Sequence, residues 1–177
     1  SLPVLVVNRR RASHTNMSKP YQLQLIERYG FRVPNTLVTM VPEEALAFYD
    51  ECRGRVIYKS ISAERSIVKR LTPDDFARLD LIRDCPTQFQ EMIPGTDLRV
   101  HTVGERLFAT EVVSNGVDYR YAEGGGGRRS MRAVELPPAI QSRCLELVKG
   151  IGLSLSGIDL RRTPDGAYYC FEVNTSP

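Results

Sequence analysis

The feature that most constrains the fold is the segment 157–176, in which two β-prone runs flank the turn sequence Pro164-Asp165-Gly166. An Asp-Gly pair between alternating segments is typical of a two-residue β-hairpin turn. Counting outward from that turn places Asp159 opposite Glu172, and Asn174 follows two residues further along the same face. The segment therefore predicts an antiparallel hairpin with two opposed carboxylates.

Opposed carboxylates in a sheet repel each other by roughly 0.2–1 kcal/mol, so the pair Asp159 and Glu172 needs a physical reason. A hard cation between them removes the repulsion. Two carboxylates and the amide oxygen of Asn174 suit Mg²⁺, which keeps several waters and takes further ligands from nucleotide phosphates. The arrangement predicts a magnesium site and a phosphate-bearing partner.

The alternative is an ordinary surface hairpin whose two acidic side chains point into solvent. The neighbouring residues Ile158, Leu160, Cys170 and Val173 make both strands rich in apolar side chains. Strands of this kind are typical of a sheet covered by other elements. A covered pair of acidic residues requires a counter-charge, which favours the metal hypothesis.

These residues carry a family resemblance. The run GIDLRRTPDG followed by FEVNTSP resembles the end of an ATP-grasp domain, particularly the ribosomal-protein glutamate-ligase (RimK) and glutathione-synthetase type. The resemblance implies that Asp159, Glu172 and Asn174 hold the magnesium of Mg-ATP, with Mn²⁺ as an alternative ion. It also implies an ATP-dependent carboxylate–amine ligase that forms an amide or peptide bond through an acyl phosphate.

Two lysines match the phosphate-binding positions of that family. Lys19 precedes a predicted helix over 19–28 and the segment GFRVPNT, and Lys59 lies in the predicted strand RVIYKSI. The resemblance implies that Lys19 reaches the phosphates and that Lys59 contacts phosphates and adenine. Alone, Lys19 would read as a surface lysine. The connection at 60–65 departs from the family pattern, because it lacks the glycines whose backbone amides wrap phosphate.

The strand TQFQEMI and the following PGTDLR match the family pattern for adenine and ribose. A purine is expected to contact backbone groups of this strand beside an apolar slot, while a carboxylate accepts from a ribose hydroxyl. If the apolar residues of this segment are ordinary core residues, they carry no information about nucleotide binding. The residues assigned in this way are Gln90, Glu91, Met92, Ile93 and Asp97.

Two arginines are the candidate catalytic residues. The resemblance implies that Arg99 and Arg120 approach the transferred phosphate and the acyl phosphate, where a guanidinium stays charged and binds phosphate bidentately. Ordinary surface salt bridges are the alternative for each one. Glu111 lies on the same predicted hairpin as Arg99, with no assigned role beyond a support for one of the arginines.

Composition is that of a soluble globular protein of 177 residues, with 42% hydrophobic and 25% charged residues and a net charge of +3. No apolar run approaches the ~20 residues that a membrane helix needs, and no signal peptide is recognisable. The four cysteines have no CxxC spacing, and Cys52, Cys144 and Cys170 read as reduced core thiols. We expect a cytoplasmic protein with an amino acid, peptide or protein tail as substrate, no membrane and no nucleic acid; homo-oligomers stay open.

The predicted fold is α+β: an ATP-grasp fold in which two α/β subdomains with antiparallel sheets grip ATP. Residues 1–15 are expected to form an N-terminal connecting segment. Residues 16–177 are expected to form the ATP-grasp domain, with a small lobe over about 36–85 and the remainder in a larger lobe. Helices are predicted over 42–52, from Thr72 and from Pro137. We expect a domain excised from a longer protein. A catalytically inactive nucleotide-binding sensor or interaction module, and a basic RNA-binding domain using arginines 9–11 and 128–129, are the competing functions.

Overall fold

The computed structural model describes residues 7–60, 68–113 and 130–177. Within them the chain forms two compact units, a smaller one of residues 34–93 and a larger one of residues 7–33, 94–113 and 130–177. The helices are α1 (Arg10–Ser13), α2 (Lys19–Arg28), α3 (Pro42–Glu51) and α4 (Pro138–Ile151), with 3₁₀ helices at His14–Met17 and Pro73–Asp84. The strands are β1 (Thr36–Thr39), β2 (Val56–Ser60), β3 (Lys69–Arg70), β4 (Thr87–Glu91), β5 (Thr96–Val103), β6 (Arg106–Val113), β7 (Ser130–Val134), β8 (Leu155–Arg162) and β9 (Tyr168–Asn174).

The smaller unit is an antiparallel sheet in the order β1-β4-β2-β3. Its core includes Phe48 of α3, Val56 of β2, Leu79 of the 3₁₀ helix and Phe89 of β4. Pro42 begins α3, and the two glutamates in its first turn interact favourably with the positive end of the helix dipole. One face of this sheet is therefore covered by its own helices.

The larger unit is an antiparallel sheet in the order β7-β6-β5-β8-β9. Helix α4 buries Cys144, Leu147 and Val148 against this sheet, at the spacing of one helical face. It ends at Gly152, whose φ of +84° is a left-handed conformation that glycine adopts without strain. The α+β class with antiparallel sheets is thus confirmed.

Most predicted elements are present, with small changes at their ends. The helix expected from Thr72 is a 3₁₀ helix, and its buried Leu79 and Ile82 have the three-residue spacing that eclipses side chains in such a helix. The helix predicted from Pro137 is α4, which begins at Pro138. Residues 1–6 and 61–67, which include most of the connection at 60–65, lie outside the described residues.

Cys52, Cys144 and Cys170 are buried and unbonded, as predicted, whereas Cys85 is exposed. Burial raises the pKa of Cys144 to about 12. In the part of the chain that the structure describes, no helix is long and apolar enough to cross a membrane.

Candidate metal and phosphate site

The polar face of the larger sheet carries the candidate site. On β5 and β8, alternate residues such as Val100 and Ile158 are buried in the core. Side chains between them point to the other face, because successive side chains of a strand alternate. On β9, Glu172 and Asn174 flank the buried Val173 in the same way. The charged and amide side chains of this face are Asp97, Arg99, Asp159, Arg161, Glu172 and Asn174.

The turn between β8 and β9 is one residue longer than predicted. The Thr163 backbone N–H donates to the Ala167 carbonyl at 2.9 Å, and the Gly166 N–H donates to the Thr163 carbonyl at 2.9 Å. Gly166 has a φ of +83°, which a side chain would strain. Pro164, Asp165 and Gly166 therefore form a three-residue loop, and the prediction of a two-residue turn is wrong.

A β-bulge compensates for the longer turn. Leu160 pairs with Cys170, but the next pair along β8 is Asp159 with Glu172, which leaves Phe171 as the extra residue of β9. The extra residue in the loop falls on the β8 side and the extra residue in the bulge falls on the β9 side. The two shifts cancel, so the predicted opposition of Asp159 and Glu172 is confirmed.

Basic side chains neutralise both carboxylates in the structure. Arg99 of β5 forms an ion pair and hydrogen bond with Asp159, and Lys19 in the first turn of α2 does so with Glu172. The four side chains are between 18% and 23% exposed, so solvent still reaches them. Acidic and basic groups thus alternate over this face instead of forming an acidic patch.

The amide of Asn174 lies among these groups. In one orientation its nitrogen donates to Asp159 Oδ2 at 3.3 Å. Rotated by half a turn, the amide nitrogen donates to Glu172 Oε1 at 2.8 Å, and its oxygen accepts from Arg99 at 3.0 Å. The second orientation satisfies more partners. Asn174 can therefore present either an oxygen or an N–H group to the centre of the site.

A third ion pair extends the array. Nε of Arg161 donates to Asp97 Oδ1 at 2.7 Å, and the Arg161 guanidinium lies 5.3 Å from the centre of the Phe171 ring. The bulge residue therefore supplies an aromatic face for an arginine of the same sheet face. Sequence reasoning assigned no role to Arg161 or Phe171. The signal for Arg161 was its position two residues after Asp159 on the same strand.

Gln22 holds α2 against β9. Its side-chain nitrogen donates to the Val173 carbonyl at 2.9 Å, and its side-chain oxygen accepts from the Val173 N–H at 3.0 Å. The side chain is 1% exposed. Lys19 lies three residues earlier on the same helix face, so this anchor places its ammonium group beside Glu172. Gln22 was missed in the sequence, although it sits among the apolar residues of an amphipathic helix.

Gly157 makes room for the end of Arg99. A Cβ at this position would lie 2.9 Å from Arg99 Nη2 and 2.7 Å from Pro177 Cβ. Both distances are shorter than real Cβ contacts, so any side chain here would displace one of these groups. The absence of a side chain at Gly157 therefore seats the guanidinium beside Asp159.

The chemistry of this donor set fits a divalent oxygen-binding cation. Asp159 and Glu172 face each other directly, are partly accessible, and have an amide oxygen of Asn174 within reach. Mg²⁺ takes carboxylate and amide oxygens and retains waters, so this partial set suffices. Among the described residues, no cluster of three or more histidine, cysteine or acidic residues that could hold a metal ion is present, so the candidate donor set consists of two carboxylates and one amide.

The smaller unit carries the remaining predicted nucleotide residues. Lys59 pairs with Gln88 across β2 and β4, on the face opposite the core residue Phe89. Gln90 is buried on that same face and donates to Thr36 Oγ1 at 3.0 Å. Lys59 therefore does not enter the apolar core of this unit.

The backbone that was expected to hold adenine is partly engaged. The N–H of Glu91 donates to the Asn35 carbonyl and that of Met92 to the Arg55 carbonyl, both at 2.8 Å. The Ile93 side chain is buried. A purine at this strand would use other backbone groups, and the roles of residues 90–93 stay predictions.

The second catalytic candidate, Arg120, and the supporting residue Glu111 remain to be located. Arg120 lies outside the described residues. Among the described residues, Glu111 is paired with arginines other than Arg99: it is buried and accepts from Arg132 at 3.0 Å and from Arg162 at 3.2 Å. These three side chains lie on the core side of the sheet, so they are separate from the face that carries Arg99.

The thiol behind the site is chemically inert. Cys170 lies on the core face of β9, and burial raises its pKa well above the ordinary value of 9.0. Neighbouring Cys144, Asp159 and Glu172 raise it further. A neutral thiol is a poor nucleophile, so the strand offers no covalent nucleophile from its core side.

Comparisons with known proteins agree with this architecture. No protein-family model matches the chain. A probable alpha-L-glutamate ligase of Histophilus somni (strain 2336) is 26% identical over 164 residues, which covers 88% of this chain and 54% of that protein. Solved structures include the ATP-grasp ligase PsnB complexed with a phosphomimetic variant of minimal precursor, Mg and ADP, at 30% identity and a TM-score of 0.85, covering 99% of this chain and 55% of PsnB.

Macrocyclase MdnC bound with precursor peptide MdnA, from Microcystis aeruginosa MRC, is 27% identical with a TM-score of 0.84, covering 97% of this chain and 56% of MdnC. The fold is thus an ATP-grasp fold. The chain is similar to ATP-grasp ligases over nearly its whole length, in agreement with the sequence resemblance to RimK-type ATP-grasp domains. It spans about half the length of the proteins that it matches.

Proposed function

We propose that the protein is an ATP-dependent carboxylate–amine ligase. The observation that carries this proposal is the opposed pair Asp159 and Glu172, flanked by Lys19 and Arg99 on one face of an ATP-grasp sheet. Opposed carboxylates with basic neighbours suit a metal–phosphate complex better than they suit an apolar ligand. The likeness to ligases supports the same class of reaction.

The metal residues would be Asp159, Glu172 and Asn174. Mg²⁺ held there supplies positive charge next to phosphate oxygens and so favours phosphoryl transfer. Lys19 and Arg99 would contribute further positive charge from the protein itself. Charge placed in advance costs no reorganisation during the reaction, which is how such groups accelerate it.

The proposed reaction has two steps. A substrate carboxylate takes the γ-phosphoryl group of ATP and becomes an acyl phosphate, and an amine then displaces phosphate to form the amide. Arg99 would orient the transferred group, and Arg120 is proposed for the same task. No protein nucleophile is needed, so positioning and electrostatics supply the acceleration.

Further residues are proposed to bind the rest of the nucleotide. Lys59 would contact phosphate and adenine, residues 90–93 would hold the purine, and Asp97 would accept from the ribose. Asp97 already accepts from Arg161, so a ribose hydroxyl would share this carboxylate with the arginine. The full nucleotide-binding set that we propose is Lys19, Lys59, Gln90, Glu91, Met92, Ile93 and Asp97.

We propose a peptide or protein tail as the source of the carboxylate or the amine, with a free amino acid as the other choice. Support comes from two structural neighbours that are complexed with a precursor or precursor peptide. We also propose that the protein works in the cytoplasm. The inactive nucleotide-binding module is not favoured, because the relatives that match are named as ligases.

Product release tests the proposal. The chain is mixed with Mg-ATP and pools of peptides that carry free carboxylates and amines, and ADP is measured together with the mass of the peptides. We expect ADP release that depends on a peptide pool, with a peptide mass lower by one water for a cyclic product. Nucleotide binding without any peptide-dependent ADP release would contradict the ligase assignment.

A further inference from the structure

The proposed metal ligands are already neutralised by the proposed phosphate ligands. Lys19 is paired with Glu172, and Arg99 is paired with Asp159. Among the described residues, three ion pairs lie on the polar face of the larger unit, the third being Arg161 with Asp97. Partner exchange at this face is therefore a requirement of the proposed function, on which the following inference rests.

A divalent cation alone meets two obstacles at this face. It must replace Lys19 and Arg99 at the carboxylate oxygens, and it must then remain close to two displaced positive charges. Like charges at such separations interact strongly in a partly buried site. Metal without nucleotide is therefore expected to bind weakly.

Nucleotide phosphates remove both obstacles together, since phosphate oxygens offer the displaced ammonium and guanidinium new partners. We propose that Lys19 and Arg99 are exchangeable counter-cations that make metal binding depend on nucleotide binding. In the ligand-free protein they form ion pairs with Glu172 and Asp159. When metal and nucleotide bind, they pair with the phosphate oxygens instead. Metal and nucleotide then bind cooperatively through this exchange.

The surroundings are built for an exchange of side-chain ends rather than of backbone. Gln22 fixes the helix that carries Lys19, through two hydrogen bonds to Val173. Gly157 leaves space over which the Arg99 guanidinium lies. Asn174 fits either state, because its amide can donate to a carboxylate or present its oxygen to a cation.

The test removes one positive charge at a time and measures metal binding without nucleotide. Mn²⁺ is titrated into the full chain, free Mn²⁺ is followed by electron paramagnetic resonance, and the titration is repeated with saturating ADP. Lys19→Met and Arg99→Met keep side-chain length but remove the charge. Each is expected to bind Mn²⁺ alone at least about tenfold more tightly than the wild type, although each loses a residue of the site.

Controls separate this effect from a general change in charge. Lys149→Met removes an exposed lysine of α4, and Lys19→Arg retains a cation beside Glu172; neither should strengthen binding of Mn²⁺ alone. In the wild type, ADP should raise the Mn²⁺ affinity by a larger factor than in the two charge-removing variants. If one of these variants does not fold, the other provides the test, with circular dichroism as the check.

Two failures can be told apart. If the wild type binds Mn²⁺ with ADP, but neither charge-removing variant binds Mn²⁺ alone more tightly than the wild type does, the exchange is overturned and the proposed function stands. If neither the wild type nor the variants bind Mn²⁺ with ADP, the proposed function itself fails. Tight binding of Mn²⁺ alone by the wild type would also overturn the exchange.

Discussion

Asp159 lies directly opposite Glu172 between β8 and β9, one pair beyond the β-bulge at Phe171. The bulge has a second effect on the same face, because the Phe171 ring lies beneath the guanidinium of Arg161. Arg161 in turn holds Asp97. One irregular residue in β9 therefore sets the opposition of Asp159 and Glu172 and also contacts the ion pair of Arg161 with Asp97.

We predict that Gln22→Ala destabilises the chain by about 2–4 kcal/mol. The change leaves a buried N–H and a buried carbonyl of Val173 without their partner. Urea denaturation followed by circular dichroism measures the free energy of unfolding. The control is Gln24→Ala, an exposed position on the same helix, which should change stability little. Equal effects of the two changes would contradict the anchoring role.

We predict that Gly157→Ala lowers Mg-ADP affinity by about tenfold or more, with only a small loss of stability. The new Cβ meets the end of the Arg99 side chain and the exposed Pro177, both of which can shift without disturbing the core. Calorimetric titration with Mg-ADP measures the affinity. The double variant Gly157→Ala, Arg99→Ala is the control.

In that double variant, Gly157→Ala should have little further effect, because the group that it displaces is already gone. If the two changes lower the affinity additively, Gly157 acts on the site by a route other than Arg99.

We predict that Asp75→Asn destabilises the chain by about 0.5–1 kcal/mol at neutral pH. Asp75 Oδ2 accepts from both the backbone N–H and the hydroxyl of Thr72, each at 2.9 Å, at the start of the 3₁₀ helix. These bonds lower the pKa of Asp75 below its ordinary value of 3.8. Asp74→Asn, at the exposed neighbouring position, is the matched control.

The sign of the pH dependence follows from that direction. A carboxyl whose pKa is lower in the folded than in the unfolded chain stabilises the fold fully above its unfolded pKa, and this contribution is lost as the pH falls through the folded pKa. The difference in unfolding free energy between the wild type and Asp75→Asn should therefore be complete at pH 7 and shrink below about pH 4. If the difference in unfolding free energy increased toward acidic pH, the capping role of Asp75 would be contradicted.

Much of the candidate site could be predicted because its residues follow the simplest rule of strands, alternation. The same rule would also have placed Arg161 on the face of Asp159, whereas its position beside Asp97 depends on the register of β5 and β8. The bulge at Phe171 was not predictable from local sequence, because a second register shift in the turn hides it. The opposition of Asp159 and Glu172 was thus correct although the turn was not.

Other features depend on tertiary structure. Gln22 acquires its role only when α2 packs on β9. Glu111 can be buried because two arginines from other strands donate hydrogen bonds to it. For the 3₁₀ geometry of Pro73–Asp84, the sequence offered one indication, the three-residue spacing of Leu79 and Ile82. Pattern reasoning identified these segments, whereas packing determined what their polar residues do.

The most direct measurement is calorimetric titration of Mg-ATP into the wild type and into the double variant Asp159→Asn, Glu172→Gln. These amides keep the shape of the two side chains but remove the negative charge that a magnesium ion requires. We predict that the wild type binds Mg-ATP and that the double variant binds at least about tenfold more weakly. Equal affinities, in a double variant that circular dichroism shows to be folded, would contradict a metal site at this hairpin.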